Sequence, residues 1–298
     1  MRPISKIGIG TVQFGLDYGI SNQNGKTSIQ EVENILTVAK ELDIKYIDTA
    51  HLYGSSEEIL GLSEVSKFGD YKVITKTPKF SDLILESDAL YLYQTLLRSL
   101  NKLRNTSVYG LLMHDADDLL KSGSDLLYNK LLEIKQEGLA GKIGVSVYNS
   151  MQIQSIIDHY PVDIIQLPLN VFDQRLIENR MLNKLKQNNI EIHVRSVFLQ
   201  GLLLMEPSAL PSFFNKYKTH IVKYRNYLEQ HNISPLEAAL SFVSSQTTID
   251  CVICGINNAA QLREIYAASK KKYDVNKLNL SQFALHDEKI INPSNWGI

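Results

Sequence analysis

The sequence predicts a single-domain (β/α)8 barrel, the TIM barrel, over residues 1–298. Three observations predict it. Short apolar runs alternate with amphipathic segments along the chain, and strand–helix alternation implies parallel strands. The alternation repeats eight times, and eight such units close into a barrel. The length of 298 residues also suits a fold that takes roughly 250 residues as one domain.

The strands are expected at Lys6–Val12, 44–48, 71–76, 107–114, 142–147, 162–167, 190–196 and 250–255. The first helix carries Ile29, Val32, Ile35, Leu36 and Ala39 at helical spacing. Ser28 with Glu31 predicts a capping box at its start. The second helix is expected over 55–66. The third, Glu86–Arg104, is expected to bury Leu90, Tyr93, Leu97 and Leu100. Further helices are expected at Asp125–Glu137 (ended by Gly138), Met151–His159, Glu178–Asn188, Leu236–Ser245 and Asn258–Ser269. Ser234 and Pro235 open the helix at 236. An inserted helical segment spans about 205–232, and an irregular tail runs from about 270. An open dinucleotide-binding sheet would want a third glycine after strand one, where Gly8 and Gly10 are followed by Gln13.

Composition narrows the function. Hydrophobic residues make up 44% and charged residues 21%, with 31 basic and 32 acidic side chains for a net charge of −1. No basic block predicts nucleic acid or an anionic membrane as partner. No apolar run approaches the roughly 20 residues of a membrane span, and the opening is not that of a secretory signal. A cytoplasmic protein is expected. Cys251 and Cys254 are spaced C-x-x-C, but residues three apart on a strand face opposite sides. They are expected to pack as small apolar residues, and no metal site is expected.

In such a barrel the active site lies at the C-terminal ends of the strands. Strand two ends at Asp48, with Tyr53 in the loop beyond. Strand three ends at Lys76 and strand four at His114. Any one of these would pass as a cap, a packed ring, a surface lysine or a structural histidine. Together they put an acid, a phenol, an ammonium and an imidazole on one stretch of rim.

The run IDTAHLYGSSEEILG resembles the aldo-keto reductase signature, and the lysine after strand three and histidine after strand four complete that family's pattern. The resemblance extends from Gly8 to about Ala268. It implies a catalytic tetrad of Asp48, Tyr53, Lys76 and His114 in an oxidoreductase that interconverts a carbonyl (aldehyde, ketone or sugar) and an alcohol. A free tyrosine has a pKa of about 10; a neighbouring lysine is expected to lower it. Asp48 would hold Lys76 charged, and a neutral His114 would orient the substrate oxygen. The hydride would come from the cofactor.

The resemblance also implies NADP as cofactor, with NAD as the alternative. Its carboxamide would fall to Ser146 and Gln166, with Val147 where an asparagine is usual. Thr11, Ser196, Phe198, Leu199 and Gly201 would contact it elsewhere, the last three in the loop that wraps the diphosphate. Gly255, Asn257, Asn258, Gln261 and Glu264 match the segment after strand eight, where a helix N-terminus favours phosphate. Asn257 stands where a lysine or arginine often meets the 2′-phosphate; Arg263, a turn on, could compensate. Ile265 replaces an adenine-contacting asparagine.

Arg195 replaces the aromatic that usually covers the nicotinamide. It is expected either as a rim charge or with its guanidinium flat against the ring, where it would favour the neutral reduced cofactor.

The substrate pocket is expected to include Phe14, Tyr18, Asp115 and Trp296. The opening TVQFGLDYGISN resembles bacterial members linked to sugar or surface-polysaccharide metabolism. Two other functions compete. One is a cofactor-binding regulatory subunit of the same family with little turnover, against which the absent basic N-terminal extension argues. The other is a Schiff-base aldolase using Lys76, which would need that lysine unpaired.

Overall fold

The computed structural model describes residues 6–22, 24–63, 71–271 and 278–297. Its strands are β1 (Ile7–Gly10), β2 (Tyr46–Asp48), β3 (Lys72–Lys76), β4 (Val108–Met113), β5 (Ala140–Ser146), β6 (Ile164–Pro168), β7 (Glu191–Arg195) and β8 (Cys251–Gly255). All pair in parallel in chain order, and β8 returns to β1 to close the barrel. The expected strands are present in number and order, most of them a residue or two shorter at one or both ends.

Two concentric apolar layers hold the barrel. Inside it, Tyr46, Ile74, Leu112, Ile164, Cys251 and Ile253 pack together. Outside, the strands bury Ile47, Leu111, Ile143, Ile165 and Val194 against the helices. Close packing inside demands Gly8, because a Cβ there would come within 2.8 Å of Ile253 Cδ1 and 2.9 Å of Cys251 Sγ. Cys251 faces the interior and Cys254 the outer layer, both as free thiols. Burial pushes both up, Cys254 to about 12. The thiolate needed for redox or metal chemistry is thereby disfavoured.

The N-terminal mouth of the barrel is closed by a polar cluster. The Glu191 carboxylate accepts from Tyr109 Oη at 2.8 Å, from Tyr46 Oη at 3.2 Å and from Lys142. His193 Nε2 lies 2.7 Å away. Burial alone would raise the Glu191 pKa, but these partners hold it well below the usual carboxylate range. The charge is kept in place because its lone pairs are satisfied.

Several helices differ from the pattern read in the sequence. Helix Ile29–Glu41 is capped by Ser28 Oγ, which accepts the Glu31 N–H at 3.2 Å. The Glu31 carboxylate does not complete the box. It accepts instead from the N–H of Ala259 at 2.7 Å, joining this helix to Ala259–Lys270. Ile29 is exposed. Helix Glu86–Leu103 buries Ala89, Leu92, Leu96, Leu100 and Leu103. Leu90 and Leu97 are exposed, so the core-facing stripe lies one residue earlier than expected. The expected helix Glu178–Asn188 is two pieces, Arg175–Glu178 and Met181–Gln187, separated at Arg180 with φ +58. The second helix is Ser56–Leu62; positions 64–66 of its expected span lie outside the described residues.

The insertion after β7 contains the helix Lys218–Gln230, and Ser234 and Glu237 form a full capping box on Pro235–Ser244. The tail from 278 is ordered in helical turns at Leu280–Phe283, Glu288–Ile291 and Pro293–Asn295. It docks on the insertion: Phe283 lies 5.3 Å from Tyr224, and Trp296 lies 4.9 Å from Phe214, centroid to centroid. Phe283 and Trp296 are thereby part of the core; residues 272–277 are outside the described ones. Among the described residues no helix is long and apolar enough to cross a membrane.

Candidate active site

Side chains two apart on a strand share a face. Tyr46, Ile74, Leu112 and Ile164 point into the barrel, so Asp48, Lys76, His114 and Gln166, two residues on, emerge at its C-terminal mouth. There they line a cavity of about 330 Å³ together with Tyr53.

Lys76 Nζ donates to Asp48 Oδ2 at 2.7 Å, to Thr49 O at 3.0 Å and to Tyr53 Oη at 3.4 Å. The other Asp48 oxygen accepts from Gln166 Nε2 at 2.6 Å. The lysine is buried, which by itself would lower its pKa. The Asp48 carboxylate and, after it, the Tyr53 oxygen together outweigh this and hold it above its ordinary value. A charged, paired lysine does not suit Schiff-base chemistry.

Burial raises the Tyr53 phenol, with Lys76 pulling against it. The net direction is upward, contrary to the lowering expected from the lysine alone, so Tyr53 stands as a neutral phenol with its proton. Burial, and next the Lys76 charge, drives His114 down to about 3. Its ring meets Tyr53 edge-on at 5.8 Å and 83°, and its Nδ1 is buried without a partner among the described residues. A neutral imidazole and a protonated phenol therefore share the mouth.

Of the residues expected at the cofactor, Thr11, Ser146, Gln166, Arg195, Ser196, Phe198, Gly201, Gly255, Asn257 and Gln261 line the same cavity. Thr11 Oγ1 donates to Asp48 O at 2.9 Å, bracing the acid's backbone. Leu199, Asn258 and Glu264 do not line it. Leu199 is fully buried, with φ +50. Asn258 caps helix Ala259–Lys270 by accepting from Gln261 N–H at 2.8 Å. Glu264 is exposed on that helix. Arg263 pairs with Glu41 at 2.6 Å and is not among the cavity residues.

Of the expected pocket walls only Tyr18 is present. Phe14 is fully buried, Trp296 is packed on the insertion, and Asp115 pairs with Lys79 at 3.3 Å.

Arg195 is on the cavity wall and not an exposed rim charge. Its guanidinium lies 4.4 Å over the Tyr148 ring, and Nη2 donates to Val147 O at 2.9 Å. Tyr148 escaped the sequence reading, because its stacking joins the loop after β5 to β7. Gln13 escaped it too. It packs so closely on Gly255 that a Cβ there would come within 2.6 Å of its Nε2. The missing side chain at Gly255 was the one available signal. Tyr18 and Ser21 lie against the loop after β7: Gln200 Nε2 donates to Tyr18 Oη at 3.0 Å, and a Cβ on Gly201 would strike Ser21 Oγ.

The fold and this mouth together describe a closed parallel barrel with a phenol beside a buried ion pair at its C-terminal end. The chain belongs to the aldo/keto reductase family of oxidoreductases, whose family model matches residues 6–282. It is 25% identical over 286 residues to an uncharacterized oxidoreductase of Bacillus subtilis, covering 90% of this chain and 89% of that one. It is 23% identical over 293 residues to an aldo-keto reductase of Strobilurus tenacellus, covering 90% and 85%. In fold it is similar to a holo aldo-keto reductase of Bacillus halodurans, with TM-score 0.75 at 19% identity over 96% of this chain and 95% of that one. A glycerol dehydrogenase of Gluconobacter oxydans gives TM-score 0.72 at 22% identity over 98% and 93%.

Proposed function

We propose that this protein interconverts a small-molecule carbonyl (an aldehyde, a ketone or a sugar) and an alcohol, with NADP or NAD as hydride carrier and Tyr53 as general acid/base. The observation that carries the reading is the line Asp48–Lys76–Tyr53, closed within hydrogen-bond reach beside a neutral His114.

The cavity fits a nicotinamide cofactor. Ser146, at the end of β5, pairs in register with Gln166 on β6, and a hydroxyl beside a carboxamide complements a primary carboxamide. Asn257 Oδ1 and Gln13 Oε1 are buried acceptors without partners among the described residues, and such atoms call for a ligand or water. Ser196, Phe198, Gly201 and Gln261 would hold the remainder. When bound, the cofactor supplies the hydride.

The chain's own residues manage the proton. In reduction Tyr53 Oη gives its proton to the substrate oxygen, and Lys76 steadies the phenolate left behind. Asp48 keeps that ammonium in place. His114, uncharged, donates to the oxygen without competing for the proton. Microscopic reversibility lets the same groups run the oxidation.

A titration with NADPH and NADH, followed by turnover of an aldehyde and sugar panel, tests the reading. Asn257 offers no charge to a 2′-phosphate and Arg263 is engaged with Glu41. A charge-assisted contact is worth roughly 1.5–3 kcal/mol, about 10–100-fold. The two dissociation constants are therefore expected within about tenfold, and Asn257→Arg should tighten NADPH selectively. NADPH bound more than about a hundredfold tighter would contradict this placement. In the same titration Arg195 should disfavour the cationic oxidised ring, and Arg195→Trp should tighten the oxidised form selectively.

A further inference from the structure

The charges lining the cavity do not cancel. Among the described residues its one carboxylate is Asp48, already committed to Lys76 and Gln166. Its cations are Lys76, committed in return, and Arg195. No carboxylate pairs with Arg195 among the described residues, where its partners are Val147 O, Ser196 Oγ at 3.3 Å and the Tyr148 ring. A guanidinium has five N–H donors. Two are engaged, which leaves three for whatever enters.

Arg195 is also aimed at the reacting end. It follows the inward-facing His193 by two residues on β7 and pairs in register with Pro168, two beyond Gln166. Its charge opposes the burial that raises Tyr18 and Tyr53 and adds to the burial that lowers His114. The guanidinium is held in place by Tyr148 stacking and a backbone carbonyl, so little ordering remains when it binds.

Resting on the reductase reading above, we propose that Arg195 recognises an anionic group on the substrate, so that this enzyme acts on carbonyl compounds carrying a carboxylate or a phosphate. The chemistry is that of a planar donor fork meeting two oxygens, with the carbonyl placed at Tyr53 and His114. Tyr148, stacked on the guanidinium, and Tyr18, elsewhere on the cavity wall, are surfaces suited to a short polar chain between the two groups.

Matched substrate pairs test this: butanal against succinic semialdehyde for a carboxylate, glyceraldehyde against glyceraldehyde 3-phosphate for a phosphate. Wild type should favour at least one anionic member in kcat/KM by tenfold or more, and Arg195→Gln should remove about 10–100-fold of that preference. Arg195→Lys should restore part of it. Oxalate and inorganic phosphate, as inhibitors of butanal reduction, should lose potency in Arg195→Gln. ADP-ribose, which carries the cofactor's diphosphate without its nicotinamide, should bind wild type and Arg195→Gln within about threefold. Turnover of neutral and anionic members with equal kcat/KM overturns this proposal alone. An ADP-ribose loss matching the loss of anionic preference also overturns it, assigning Arg195 to the diphosphate. Absence of turnover with every pair and both cofactors overturns the reductase reading, and this proposal with it.

Discussion

Tyr53→Phe is expected to lower turnover by about 10²–10⁴-fold, the range a positioned general acid contributes, while leaving cofactor binding within a few-fold. The substitution removes one oxygen and keeps the ring that meets His114 edge-on, so the cavity wall stays in place. Lys76 keeps Asp48 as its partner. The pH profile gives an independent sign. Burial raises Tyr53 above its ordinary value, so the proton needed for reduction is present at neutral pH and is lost only on alkaline titration, above about 10. His114 is held down to about 3, so its protonation should not limit the rate between about 4 and 9. A Tyr53→Phe variant that retains more than a tenth of wild-type kcat/KM would move the proton donor elsewhere.

Lys76→Met is expected to abolish activity and to destabilise the fold by about 3–5 kcal/mol, because it strands the Asp48 carboxylate in the barrel mouth. The lysine is 2% exposed and the acid 4%, so solvent relieves little of that cost. Asp48→Leu combined with Lys76→Met removes both charges and should recover most of the stability without recovering activity. Thermal or denaturant unfolding of wild type, both single variants and the double variant gives the coupling directly. Additive losses would show that the ion pair does not organise the site. The sign follows from linkage: Lys76 is raised in the folded state, so its contribution is fully present at neutral pH and is lost only as pH rises through the alkaline range.

Much of this arrangement was legible in the sequence because strand periodicity is strict. Once β2, β3 and β4 were located by their apolar runs, Asp48, Lys76 and His114 had to leave the barrel on one side, and the structure joins Asp48 to Lys76 at 2.7 Å. Helix faces were less legible. In Glu86–Leu103 two leucine stripes run side by side, and only contact with the rest of the barrel selects Leu92 and Leu96 over Leu90 and Leu97. The ring of Trp296 and the side chain of Asp115 were misplaced for the same reason, since their partners, Phe214 and Lys79, are distant in the chain. The direction of the Tyr53 shift was also hidden: the neighbouring lysine can be read from a motif, but burial, which outweighs it, is a property of the closed mouth.

The claim that hydride passes from a nicotinamide to a carbonyl in this cavity, with Tyr53 supplying the proton, is tested most directly by isotope transfer. Wild-type protein and Tyr53→Phe would be incubated with cofactor deuterated at the reactive ring carbon and with a carbonyl substrate, and the alcohol examined for label. Deuterium at the former carbonyl carbon in the wild-type product, with label formation falling about 10²–10⁴-fold in Tyr53→Phe, is the expected result. Cofactor bound by both proteins, with no label in the product of either, would contradict the account.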